Sequence, residues 1–156
     1  MYNQLKLDNQ LCFRLYTAAR LVMRAYWPYF EPLGITYPQY LVLMVLWESD
    51  QQPVNDIAKR LLLATNTITP LLQRMEQQGL VCRHHSPSDT RKRIVCLTDI
   101  GKALEQQAQD IPNCLNEQIS KMGFTMEDIA QMIPLLDKMI PCLQQLCNPN
   151  RTNQGE

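Results

Sequence analysis

A mainly α-helical chain carrying one small β-hairpin is what these 156 residues predict. Three observations carry the prediction. Apolar residues recur at helical spacing through the N-terminal and C-terminal thirds. Two short helical stretches, VNDIAKRLL (54–62) and TNTITPLLQRMEQQGL (65–80), stand back to back in the middle. After Gly79 the period changes to alternation in VCRHH (81–85) and RIVCLT (93–98), around the turn-rich loop SPSDTRK. A helix-turn-helix followed by a hairpin is a winged helix-turn-helix. Here it is flanked by N- and C-terminal helices suited to dimerisation.

The elements follow in order. A first helix is expected from Asp8 to about Trp27, with Asp8 as N-cap and Leu7 and Cys12 in staple positions. Leu11, Leu15, Ala18, Ala19, Val22 and Tyr26 form its apolar face, and Pro28 ends it. The turn EPLGI leads to Thr36 and a second helix through about Glu48. The segment SDQQP is a polar break. The helix of 65–80 should begin near Thr67, because Pro70 is best tolerated in a first turn, and stop at Gly79. Thr98 is the next N-cap, with Asp99 in the first turn. That helix runs to about Met122, is bent or interrupted at Pro112, and stops at Gly123. A last helix starts from Thr125 and carries Ile129, Met132, Ile133, Leu136, Ile140, Leu143 and Leu146 as a stripe, with kinks expected at Pro134 and Pro141. The tail from 148 to 156 is expected to be disordered. The whole, 1–156, reads as a single domain: 8–48 for dimerisation and sensing, 54–98 for the winged helix, 99–147 for further dimerisation helices. The terminal helices carry more apolar surface than the chain can cover, which predicts a homodimer.

Net charge is zero, but its distribution is uneven. Residues 54–102 carry eight basic and four acidic groups, and residues 103–156 carry three basic and seven acidic. A basic module between neutral and acidic flanks suits double-stranded DNA. A recognition helix offers its N-terminal side chains to base edges in the major groove. Here those are Thr65, Asn66, Thr67 and Thr69, with Gln73 and Arg74 one turn on. Arg91, Lys92 and Arg93 lie at the hairpin tip. Arg91, oriented by Asp89, is the expected groove-entering residue, and Arg93 the phosphate contact. Two such modules in a dimer predict a roughly palindromic operator. No apolar stretch is long enough to span a bilayer, and the N-terminus lacks a signal-peptide pattern, so a cytoplasmic protein without membrane contact is expected. Six cysteines in a reducing compartment then argue against permanent disulfides.

The stretch DTRKRIVCLTDIGKAL contains Asp-x-Arg-x-Arg-x-x-x-Leu-Thr-x-x-Gly, with Asp89, Arg91, Leu97, Thr98 and Gly101 on it. This resembles the wing signature of the MarR family of transcriptional regulators. LDNQLCFRLY, RAYWP and LGITYPQYLVLMVLWE resemble more narrowly its organic-hydroperoxide-sensing, OhrR-like branch. The resemblance covers roughly residues 4–104. One departure is Ala64, where relatives often carry an acid.

The resemblance implies a dimeric repressor of peroxide-defence genes, not an enzyme, with an organic hydroperoxide as oxidant and no cofactor or metal. It puts Cys12 on the sensing cysteine, Tyr26 and Tyr37 on the tyrosines that hydrogen-bond it, and Tyr16 on a further aromatic of that pocket. Phe13, Trp27, Tyr40, Leu41 and Met44 are expected to line the pocket. A thiolate near a helix N-terminus, hydrogen-bonded by phenols, is favoured in its charged, nucleophilic form. Its sulfenic acid would condense with a second thiol. Two-cysteine members of the branch keep theirs where Cys114 lies; Cys142, Cys147 or a small cellular thiol are the alternatives. Three other readings stand beside this one. A small aromatic or phenolic ligand would bind between the dimerisation and DNA-binding regions, with Cys12 incidental. Cys82, His84, His85 and Cys96 would hold a metal. Or Cys12 would serve a thiol peroxidase.

Overall fold

The computed structural model describes residues 2–87, 89 and 91–147. The expected disordered tail, 148–156, lies outside them. The chain divides into two compact units, Met1–Ile111 and Pro112–Glu156.

In the first unit, two 3-10 turns, Asn3–Leu5 and Leu7–Asn9, precede α1 (Leu11–Phe30). Asp8 is therefore not the N-cap. Gln10 holds that position in extended conformation, and with the start displaced Leu7 and Cys12 no longer have staple spacing. Pro28 does not end the helix. It sits in the last turn, where losing its N–H removes one bond of the ladder, and the chain continues helical to Phe30. Only Phe30 of α1 is buried.

Thr36 caps α2 (Tyr37–Glu48), with Gln39 Oε1 accepting the Thr36 N–H at 2.9 Å. This helix is the centre of the unit: Tyr40, Val42, Leu43, Val45 and Leu46 are all buried. A short strand, β1 (Gln52–Pro53), follows, then α3 (Val54–Arg60) and α4 (Thr65–Gln77). Two turns of one kind end α3 and α4. Leu63 N donates to Ala58 O, and Leu80 N to Met75 O, both at 2.9 Å across a left-handed residue. In α4 that residue is Gly79 (φ 71°), whereas in α3 it is Leu62 (φ 56°), a conformation leucine adopts at a cost.

The helix α4 begins at Thr65, not Thr67. Pro70 lies beyond the first turn, and the ladder forgoes one donor there. Ile68, Leu71, Leu72 and Met75 drive the helix into the core, which outweighs that loss. The strands β2 (Val81–His85) and β3 (Arg93–Leu97) pair antiparallel, with Cys82 opposite Cys96. Sequence reading missed β1, which pairs with the other edge of β3 to give the order β1-β3-β2. Two residues, one of them proline at a sheet edge, leave no alternating pattern to detect.

Thr98 caps α5 (Asp99–Ala108), accepting the Gly101 N–H at 3.1 Å. The next helix, α6 (Ile111–Lys121), starts after a break at Gln109 and Asp110. Pro112 thus falls in a first turn, where its missing N–H costs nothing.

In the second unit, Gly123 (φ 98°) follows α6 and Thr125 precedes α7 (Met126–Cys147). Asp128 Oδ2 accepts from Thr125 N at 2.7 Å, and Asp128 N donates back to Thr125 Oγ1 at 3.3 Å. The α-helical run passes through Pro134 and Pro141. No residue of α7 is buried, and Met132, Ile133, Leu135, Ile140, Leu143 and Leu146 are exposed.

Candidate nucleic-acid interface and thiol site

Helix α4 projects its side chains along two lines, because residues four apart share a helix face. Thr65, Thr69 and Gln73 lie on one such line. They face a cleft of about 520 Å³ closed by Pro53, Val54, Asn55 and Asp56 on one side and by Arg83, Arg91, Lys92 and Arg93 on the other. Thr67 and Arg74 face away from it. They line a second groove of about 810 Å³ with Trp27, Glu31, Leu71 and Gln78. The residues expected to read DNA are therefore divided between two surfaces. Asn66, exposed at the helix start, accepts from Thr67 Oγ1 at 3.5 Å.

The first cleft is lined by four cations and Asp56, and carboxylates outside the lining, Glu76 and Asp89, pair with Arg83 and Arg91. In the sequence Arg83 is one of the eight basic groups of residues 54–102 and carries no further signal. Alternation on β2 turns it to the same face as Val81, toward α4. There its Nε and Nη2 donate to Glu76 Oε2 at 3.0 and 2.6 Å, and its backbone N–H donates to Oε1 at 3.1 Å. These bonds hold the Glu76 carboxyl below the ordinary value despite an opposing desolvation effect. The pair joins the recognition helix to the wing. Asn55 was missed as well, because nothing in a short amphipathic helix marks its first turn as part of a cleft.

At the wing, Asp89 Oδ1 accepts from Arg91 N at 3.1 Å and from Arg91 Nε at 3.4 Å, as the spacing of the two suggests. The Arg91 side chain is nonetheless 92% exposed. Ser86 N donates to Lys92 O at 2.9 Å and closes the base of the loop.

The thiol site is present only in parts. Cys12 is exposed in the first turn of α1, and its sulfur lies 3.7 Å from Gln10 Oε1. Tyr16, one turn on, is exposed and holds Arg20 over its ring at 5.9 Å. Tyr26 and Tyr37 meet with ring centroids 5.1 Å apart, in a cluster with Phe30 and Tyr40. Burial, reinforced by Tyr37, raises the phenol pKa of both Tyr26 and Tyr40, so each remains a hydrogen-bond donor at neutral pH. Along one helix the fourteen residues from Cys12 to Tyr26 span about 21 Å. One chain therefore does not bring the sulfur to these hydroxyls. The expected pocket lining is also dispersed: Trp27 borders the groove beside Arg74, whereas Tyr40 and Met44 border a separate cleft with Trp47. Leu41 is half-buried, and Phe13 is exposed near Cys12. Cys114 is exposed on α6.

The four-residue metal set is broken by strand alternation. Cys82, His84 and Cys96 share one sheet face, and His85 takes the other. Among the described residues no group of three or more His, Cys, Asp or Glu is arranged to hold a metal. No described helix is long and apolar enough to cross a membrane.

A helix-turn-helix backed by a three-stranded wing, with a basic cleft between, defines a winged-helix protein of the DNA-binding type. The MarR family model matches residues 35–93. The organic hydroperoxide resistance transcriptional regulator of Bacillus subtilis (strain 168) is 40% identical over 144 residues, covering 92% of this chain and 96% of that protein. This chain belongs to the MarR family. Reduced AbfR bound to DNA is similar in structure, with a TM-score of 0.70, 38% identity, and coverage of 88% of this chain and 96% of that one. Disulfide-formed AbfR is similar with a TM-score of 0.55, 40% identity, and coverage of 88% and 94%.

Proposed function

We propose that this protein is a homodimeric transcriptional repressor that releases its operator when an organic hydroperoxide oxidises Cys12. The observation that carries the reading is the separation within one chain: an exposed thiol at the start of α1, and a cluster of neutral phenols at its far end. A two-fold pair of chains whose α1 helices run antiparallel would bring each sulfur to the partner's phenols. The uncovered apolar side chains of α1 and α7 favour such a pair. Each half-site of a roughly palindromic operator would meet one module. Thr65, Thr69 and Gln73 would face the major groove, Arg91 would enter the minor groove, and Lys92 and Arg93 would neutralise phosphates.

The chemical step is simple. The Cys12 sulfur attacks a peroxide oxygen, the O–O bond breaks, an alcohol leaves, and the sulfur becomes a sulfenic acid. A second thiol, Cys114 by preference, displaces hydroxide from that sulfur as water and leaves a disulfide. Moving from almost all bound to almost all free requires about 5.5 kcal/mol of preference between the two arrangements. Loss of buried phenol–sulfur hydrogen bonds, together with a tether pulling on α1, is of that order.

The test is an operator titration of reduced and alkyl-hydroperoxide-treated protein, followed by intact-mass measurement without reductant. Cys12→Ser should bind the operator as tightly as the parent and ignore the peroxide. A Cys12→Ser protein that still lets go on treatment would overturn the proposal.

A second reading is favoured by the groove at Trp27 and Arg74. An exposed indole beside a guanidinium suits a small aromatic carboxylate. Under it, Cys12→Ser would keep its full response to that ligand.

A further inference from the structure

We propose that Cys82 and Cys96 form a second redox couple, a dithiol on the outer face of the wing that an alkyl hydroperoxide converts to a cross-strand disulfide independently of Cys12.

The two cysteines are direct partners in the β2–β3 register. The parity of the ladder gives their spacing. Thr98 N donates to Leu80 O at 3.2 Å, and Ser86 N to Lys92 O at 2.9 Å. Both rows lie an even number of positions from Cys82 and Cys96, so theirs is also a hydrogen-bonded row, with Cα atoms about 5.5 Å apart. That separation is within the range of natural disulfides. The Cβ atoms of such a row stand about 5.5 Å apart, wider than an unstrained bridge prefers. A bond formed here belongs to the reducible, reversible kind.

The two sulfurs are not equivalent. Cys82 is exposed and Cys96 half-buried, with its sulfur 3.7 Å from His84 Nδ1. Asp50 and Lys102 are the charged neighbours of Cys96. Burial first, then the adjacent Cys82, push the Cys96 thiol up and keep its proton on at neutral pH. Cys82, the exposed sulfur of the two, is the one a hydroperoxide reaches, and it takes the oxygen. Its sulfur bonds to a peroxide oxygen, the O–O bond breaks, and the alkoxide leaves as alcohol with the Cys82 proton. Cys96 then attacks the Cys82 sulfur. The S–O bond breaks, and hydroxide leaves as water with the Cys96 proton, carried by His84 Nδ1. Two thiols and one hydroperoxide yield one disulfide, one alcohol and one water. Both cysteines lie on the sheet face opposite Arg83, so the bridge ties the base of the wing without entering the basic cleft.

The experiment uses the full chain with Cys12→Ser, which separates this couple from the proposed sensor. The reduced protein is treated with cumene hydroperoxide, alkylated, and mapped by peptide mass. The expected result is one intrachain link between the Cys82 and Cys96 peptides, two hydrogens lighter, reversed by dithiothreitol. Adding Cys96→Ser should arrest the reaction at a Cys82 sulfenic acid trapped by dimedone, and His84→Ala should slow bridge formation. Should Cys96→Ser fail to fold, Cys82→Ser, at an exposed position, must abolish the link. Full alkylation of both thiols after the peroxide is consumed overturns the proposal, and so does protection of both by a co-purified metal ion.

Discussion

Gly101→Ala puts two physical effects against each other at one atom. Gly101 is the third residue of α5, where helix propensity alone predicts that alanine stabilises by about 1 kcal/mol. A Cβ built there would fall on Leu80 O, well inside contact distance, with Leu97 Cδ2 at 3.1 Å and Leu80 C at 3.2 Å. The obstacle is backbone, which has no rotamer with which to yield. The start of α5 must lift from the β2–β3 base, and three bonds there are then strained or broken. They are Thr98 Oγ1 to Gly79 O at 2.6 Å, Gly101 N to Thr98 Oγ1 at 3.1 Å, and Trp47 Nε1 to Gly101 O at 2.9 Å. At ~0.5–1.5 kcal/mol net for each bond, their combined loss exceeds the propensity gain, leaving the variant less stable by about 2 kcal/mol. The assay is urea unfolding followed by circular dichroism, at one fixed protein concentration because association adds to stability. With a urea dependence of ~1–3 kcal/mol per M, the midpoint should fall by about 1 M. A midpoint equal to or above the parent's would refute the packing argument and leave propensity as the governing effect.

Arg93→Ala should weaken operator binding and lower the slope of log affinity against log salt by about 1, measured by fluorescence anisotropy across a salt series. Gln73→Ala should instead relax discrimination at one base pair by ~1–3 kcal/mol with little change in salt slope, read from binding to single-substituted operators. Arg74→Ala, on the other surface of α4, should leave that discrimination intact. Glu76→Gln reports the pair with Arg83. The Glu76 carboxyl titrates below its ordinary 4.5 in the folded protein, so its contribution is complete above that pH and is lost as pH falls through the folded value. The parent's advantage over the variant in thermal midpoint should hold steady near neutrality and shrink on acidification. An unchanged gap in acid would mean that the carboxylate is not the group responsible.

The sequence by itself determined the kinds of element and their order. Helical periodicity marked the long helices, alternation marked the hairpin, and Gly79, Thr98 and Gly123 stand where the structure has stops and caps. Such signals are local: a φ angle, a cap or a stripe needs only its neighbours in the chain. The start of α4 and the end of α1 departed from expectation because proline preferences amount to a few kcal/mol at most, and burial of Ile68, Leu71 and Phe30 competes with them on equal terms. Only the tertiary structure could divide α4 into a face toward the wing and a face toward Trp27, or recruit Arg83 and Asn55 to the cleft. Only strand register could seat Cys82 opposite Cys96. The separation of Cys12 from the phenols it is proposed to meet is likewise a matter of three dimensions. A chain's pattern tells which side chains share a face, but not which other face it meets, because that meeting depends on contacts between residues far apart in sequence and, for Cys12, between chains.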